Sequence, residues 1–235
     1  MVPLLVRAAC TPAHPNRAAK YASALRSRVP MVVATGPAGC GKTMHACEYA
    51  IEALRDGEIE RVVMTRPIVP VDGEQLGFLP GDLDGKLRPW MMPIWDQLYA
   101  RHSPREVDAF VRDDRLVMEP LGMMRGRTFD HTLVIGDEMQ NATVNQMRML
   151  LTRIGTNSRV VITGDETQRD LEEGSCGLTD LIRRLDTRAM DRATDRATDR
   201  GDEDTSLGVR VHFEESDVRR SAFVEEVIRL YAPPS

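Results

Sequence analysis

The sequence predicts an α/β fold: three layers, with a mostly parallel sheet between helices. Two observations predict it. Short runs rich in Val, Ile and Leu alternate along the chain with helical stretches, the pattern of parallel strands joined by crossover helices. The first such run, "MVVAT" at 31–35, passes at once into a Gly-rich turn and then into a helical stretch.

The elements follow in order. After "MVVAT", residues 42–55 read as a helix and "RVVMT" (61–65) as a second strand. The Pro- and Gly-rich segment 66–89 reads as an extended loop, and loops of that length in compact domains are often functional. Residues 90–100 read as a helix with Trp90, Ile94, Trp95 and Leu98 on its apolar side. "RLVME" and "HTLVIG" are short strands, and 143–154 is a helix with Thr143 as its N-cap. "RVVIT" (159–163) is a strand, 178–185 begins a helix, "VRVHF" is a late strand, and 217–231 is a last amphipathic helix. Residues 1–30 read as an N-terminal lead-in to a single domain at 31–235. The stretch 186–206, with its period-four repeat "DRATDRATDRGDED", has no apolar face to offset the entropy of ordering it. It reads as a solvated low-complexity insertion.

Composition narrows the class. At 235 residues, 42% apolar and 29% charged, the chain is an ordinary globular one, and no apolar run approaches the ~18–20 residues of a membrane helix. A net charge of -5 argues against broad, nonspecific nucleic-acid binding but leaves room for a local basic channel. The first acid is Glu48, a bias that transit peptides share; the strand beginning near Met31 leaves little room for a removable leader. Cys10, Cys40, Cys47 and Cys176 form no CxxC pair and no metal-ligand spacing, which points to a reducing compartment and so to the cytoplasm.

"GPAGCGKT", spanning Gly36, Pro37, Ala38, Gly39, Cys40, Gly41, Lys42 and Thr43, fits G-x-x-x-x-G-K-[ST] between a strand and a helix. Glycines let backbone N–H groups curl around phosphate oxygens, and the helix N-terminus adds partial positive charge. Lys42 is assigned to the β- and γ-phosphates and Thr43 to a magnesium ion. Cys40 has two readings: a thiol made acidic by the helix end and Lys42, or simply a small tolerated side chain, the one favoured.

In "LVIGDEMQN" an apolar strand delivers Asp137 and Glu138 to the sheet edge where α/β proteins bind ligands. Asp137 is assigned to Mg2+, and Glu138 to polarising the attacking water. Gly136 stands where Leu or Val is usual. It either leaves room for a close approach or weakens the strand. A third strand-end element, "VVITGDETQRD", carries Gln168 as a γ-phosphate sensor.

These motifs, with "VVMTRPIV", "GEQLGFLPGDLDGKLRPWMMPIWDQL", "EPLGMMRGRTFDHTLVIGDEMQN", "MLLTRIG" and, more loosely, "VHFEESDVRR", resemble the PhoH-like family of P-loop ATPases. That family is related to the first, RecA-like lobe of superfamily 1 helicases. The resemblance implies a RecA-like P-loop NTPase fold, ATP and Mg2+ as ligands, ATP hydrolysis, and a role in RNA metabolism. It implies that Gln140 and Gln168 couple nucleotide state to the rest of the molecule. It also singles out Arg66, Arg125 and Arg127, which either face single-stranded RNA or a phosphate or are structural. Three departures stand out: Cys40 where the family has Thr, Met139 where it has Ala, and Ala18 where a Gln reads adenine. The ribonuclease-like N-terminal domain of some members is expected to be absent.

Helicases of this kind bind ATP between two lobes, and the second lobe supplies an arginine finger. Here one lobe is read. The finger is therefore expected from another copy or from the chain's own end, where Arg219 and Arg220 open the last helix and Arg220 fits the family's arginine better. The expectation is a homo-oligomer, favouring a hexamer. Two functions follow: an RNA-linked ATPase, with RNA remodelling or helicase activity, or a nucleotide-dependent interaction switch without unwinding.

Overall fold

A computed structural model describes residues 15–68, 83–168, 175–195 and 207–218, together with positions 223, 226, 227 and 230. The helices are α1 (Pro15–Arg26), α2 (Lys42–Arg55), α3 (Leu83–Arg101), α4 (Pro104–Arg112), α5 (Val144–Leu151) and α6 (Gly177–Asp195). The strands are β1 (Met31–Thr35), β2 (Arg61–Thr65), β3 (Leu116–Met118), β4 (Thr132–Gly136), β5 (Arg159–Gly164) and β6 (Val209–His212). Among the described residues the strands form one sheet in the order β3-β2-β4-β5-β1-β6, and every pairing is parallel. All strands therefore end at the same edge of the sheet. β5 lies between the strand that feeds the Gly-rich loop and the strand that ends in Asp137.

Strand alternation splits the core into two layers, because successive side chains point to opposite faces. Val32, Ala34, Val62, Met64, Leu133 and Ile135 pack with Tyr21 and Leu25 of α1, with α2, and with Met91, Ile94, Leu98 and Val107 of α3 and α4. Val33, Val63, Val134, Val160 and Ile162 face Met147 and Leu150 of α5 and Leu178, Leu181 and Ile182 of α6. The three-layer fold expected from the sequence is the fold observed. Thr143 caps α5 as read, in a full capping box: its side chain accepts from Gln146 N, and the Gln146 side chain accepts from Thr143 N.

The sequence reading needs four corrections. Within the stretch read as a lead-in, Pro15–Arg26 form α1, which buries Tyr21 and Leu25 in the main core. The loop read at 66–89 ends earlier, because α3 begins at Leu83 and runs through Pro89 and Pro93. Each proline withholds a ladder N–H, so the sequence reads as a break. Helix α4 was not anticipated. Its apolar Val107 is the only buried member, and Pro104 at the first turn follows the N-cap Ser103. Finally, α6 carries the chain as a helix to Asp195, ten residues into the stretch read as an insertion. An ion pair from Asp186 to Arg210 holds the start of that stretch. Asp217 closes a short 3-10 turn (Glu215–Asp217), and most of the expected last helix, including Arg219 and Arg220, lies outside the described residues. Among the described residues no helix is long and apolar enough to cross a membrane.

Candidate functional site

The loop between β1 and α2 needs its glycines. Gly36, Gly39 and Gly41 have φ of 136°, 86° and 89°. Gly36 also has no room for a side chain, since a Cβ there would lie 2.4 Å from the Phe213 carbonyl oxygen. The Lys42 ammonium bonds back to the loop, donating to Gly36 O at 2.6 Å and Pro37 O at 2.8 Å. Cys40 is buried 3.6 Å from that ammonium. Burial pushes its thiol up and outweighs the pull of Lys42, which favours the reading of a small tolerated side chain.

Asp137 sits directly across from the loop. It is buried, and its Oδ1 accepts from Thr43 Oγ1 at 2.6 Å and from Thr163 Oγ1 at 2.5 Å. The start of α2 and the carboxyl ends of β4 and β5 thus meet at one carboxylate oxygen. Thr163 escaped the sequence reading; its only signal is a Thr just before the "GDETQ" turn. The Thr43 hydroxyl and the Asp137 carboxylate are the hard oxygen donors that magnesium takes.

Glu138 is a non-glycine residue in the left-handed region, with φ 53°. That conformation is seldom adopted without compensation, and it clusters at functional sites. Gln140 supplies one restraint: its Nε2 donates to Glu138 Oε2 at 2.5 Å, while its Oε1 accepts from Asp165 N at 3.1 Å. Gln140 therefore links the end of β4 to the end of β5. Gln168 is exposed and lines a neighbouring cavity of about 670 Å³ with Glu138 and Gln140. It does not line the cavity beside the loop. That cavity, of about 620 Å³, is bounded by residues 38–45, Glu138, Ala18, Phe213 and Asp217. Asp217, which lines the same cavity as Ala18, is buried and accepts from Arg17 Nη1 at 3.1 Å and Glu214 N at 2.9 Å.

The three arginines singled out from the sequence part company. Arg66 reaches the carboxylates, with Nε 3.2 Å from Asp137 and Nη2 3.5 Å from Glu138. Arg127 is committed to Glu119 and lies over the Phe129 ring at 5.1 Å. Only Arg125 opens onto a separate basic cleft, of about 770 Å³, which it lines with Arg148 and Arg153.

Gly136 and Met139, the two odd letters of the box, form one feature. Met139 is fully buried, and a Cβ at Gly136 would meet its Cγ at 3.0 Å and Sδ at 3.1 Å. The long side chain fills the space above the missing one. Met139→Ala alone should cost about 2–4 kcal/mol through a cavity, and Gly136→Val alone about 1–3 kcal/mol through crowding. In urea unfolding the double variant should be more stable than the sum predicts by at least ~1 kcal/mol. Additive losses would contradict the pairing.

The sequence matches the family described as PhoH-like protein over residues 12–232. The chain belongs to the PhoH-like family. Among similar proteins, protein PhoH of Escherichia coli (strain K12) is 38% identical over 215 residues, 90% of this chain and 55% of its own length. The PhoH-like protein of Bacillus subtilis (strain 168) is 37% identical over 216 residues, covering 90% of this chain and 61% of its own. That of Mycobacterium tuberculosis (strain H37Rv) is 42% identical over 156 residues, 66% and 44% respectively. The chain thus spans about half the length of the curated family members it matches.

Proposed function

We propose that this PhoH-like chain binds ATP at the Gly36–Thr43 loop, hydrolyses it with magnesium, and couples hydrolysis to single-stranded RNA. The observation that carries the reading is the meeting of Thr43, Asp137 and Thr163 at one oxygen, with Glu138 on the wall of the loop's cavity. Loop N–H groups and Lys42 hold the phosphates, and Thr43 and Asp137 hold magnesium. The ion supplies charge stabilisation at the phosphoryl group. Glu138 takes the proton of the attacking water, and Gln140 and Gln168 report nucleotide state to the cavity they share.

In this reading the arginine finger comes in trans, from Arg220 of a neighbouring copy in a homo-oligomer, a hexamer being favoured. Support comes from the arginines nearest the site among the described residues. Arg101 pairs with Glu48, and Arg66 with the two carboxylates, so neither offers a free guanidinium. Native mass spectrometry that finds only a monomer with full activity overturns this part.

For RNA the support is the cleft of Arg125, Arg148 and Arg153, whose described lining holds no carboxylate. Neither the Arg125 nor the Arg148 side chain is drawn into an ion pair among the described residues. The double variant Arg125→Gln/Arg148→Gln should lower the slope of log affinity against log salt for single-stranded RNA by about 1–2. Its RNA-free ATP turnover should match the parent. An unchanged affinity and slope would move RNA elsewhere. If RNA neither binds nor stimulates turnover, while partner binding depends on ATP, the interaction-switch reading replaces this one.

A further inference from the structure

We infer that Arg66 is a positioning residue for Glu138 and a built-in competitor for the charge of Asp137; this rests on the hydrolysis reading above. Arg66 is the first residue past β2. The β2–β4 pairing sets Thr65 beside Gly136, and Asp137 N donates to Thr65 O at 2.9 Å, so Arg66 is level with the two carboxylates. Its side chain is 17% exposed, turned toward the two carboxylates.

The guanidinium spreads over three partners, one for each nitrogen. Nε faces Asp137 Oδ2 at 3.2 Å, Nη2 faces Glu138 Oε1 at 3.5 Å, and Nη1 donates to Trp90 O at 3.3 Å. The other oxygen of each carboxylate is already engaged, Asp137 Oδ1 by two threonine hydroxyls and Glu138 Oε2 by Gln140. Glu138 is therefore held from both sides in a backbone conformation it would not otherwise favour. A planar fork can span two carboxylates; a single ammonium cannot. The third nitrogen ties the same group to α3, so a shift of α3 at Trp90 would reach Glu138 through one side chain.

Two consequences have opposite signs. Loss of the fork lets Glu138 drift, which slows the chemical step. Loss of the positive charge beside Asp137 leaves more negative charge for a divalent cation, which tightens metal binding. A merely structural arginine would not produce that pairing of effects.

The test compares the full-length parent with Arg66→Gln and Arg66→Lys. Steady-state ATP turnover is measured against ATP and against Mg2+, and Mn2+ binding is followed directly without nucleotide. For Arg66→Gln we expect kcat about 10- to 100-fold lower, the scale of a small misplacement of a catalytic group, with KM for ATP within about twofold. Its Mn2+ affinity should rise. Arg66→Lys, which keeps the charge, should keep parental Mn2+ affinity but lose most of kcat, and it serves if the glutamine variant fails to fold. Parental kcat in both variants overturns the role of Arg66 alone, as does weaker Mn2+ binding by a folded Arg66→Gln. A parent chain without turnover under any of these conditions overturns the hydrolysis reading, and this role with it.

Discussion

Glu138→Gln is expected to leave ATP bound and to lower turnover by about 10²- to 10⁴-fold, the range ascribed to a positioned general base. The substitution keeps the side chain's size and its ability to accept from Gln140, whose Nε2 lies 2.5 Å from Glu138 Oε2. It removes the negative charge, and with it both the capacity to take a proton and the ion pair to Arg66. The loop, Lys42 and the Thr43–Asp137–Thr163 cluster are untouched, so affinity for a fluorescent ATP analogue should stay within a few-fold of the parent. A variant that hydrolyses ATP at the parental rate would remove Glu138 from the mechanism. One that loses nucleotide binding would show that Glu138 serves the loop's structure instead.

The second large effect is on stability. Gly36→Ala places a Cβ 2.4 Å from Phe213 O and 2.9 Å from Phe213 C, at a φ of 136° that L-residues rarely adopt. The obstacle is backbone, so no side-chain rotation relieves it. Phe213 N donates to Thr35 O at 2.7 Å, so moving Phe213 away also breaks the continuation of the β1–β6 pairing. We expect a loss of about 3 kcal/mol or more in urea unfolding, from backbone strain and overpacking together. Gly57→Ala is the comparison. It shares a positive φ, 70°, but has nothing within 4 Å, so it should cost only about 1–2 kcal/mol. Equal losses at the two positions would mean that φ alone, and not the closeness of Phe213, makes Gly36 necessary.

The parts of this fold that were legible in the sequence are those whose cause is local. "GPAGCGKT" states its own backbone needs, and "LVIGDE" carries its strand and its two carboxylates in one run. Thr143 and Gln146 lie three residues apart, so their capping box is visible as spacing. The parts that were not legible depend on residues far apart in the chain. Thr163 and Asp137 are separated by 26 positions and meet only because β4 and β5 pair. The contact of Arg66 with Asp137 and Glu138 was not legible because "TRP" does not say that β2 and β4 are neighbours. The first turns of α3 were obscured by Pro89, whereas residues 90–100 read as a helix despite Pro93 because Ile94 and Leu98, both buried, mark its apolar side. Helix α6 runs past its last buried residues, and one ion pair, from Asp186 to Arg210, holds the start of that extension.

Gly136 and Met139 lie between these cases. Each is a departure that reads as a defect alone, and only the contact between them shows that one answers the other.

The central claim is that the edge formed by β1, β4 and β5 hydrolyses ATP. The most direct measurement is phosphate release from ATP by the purified chain, with and without Mg2+ and with and without single-stranded RNA, on protein whose oligomeric state is determined in the same sample. The account predicts magnesium-dependent release that RNA increases and that Glu138→Gln lowers by about 10²-fold or more. No release above background under any of these conditions, from a folded assembly that still binds ATP, would contradict it.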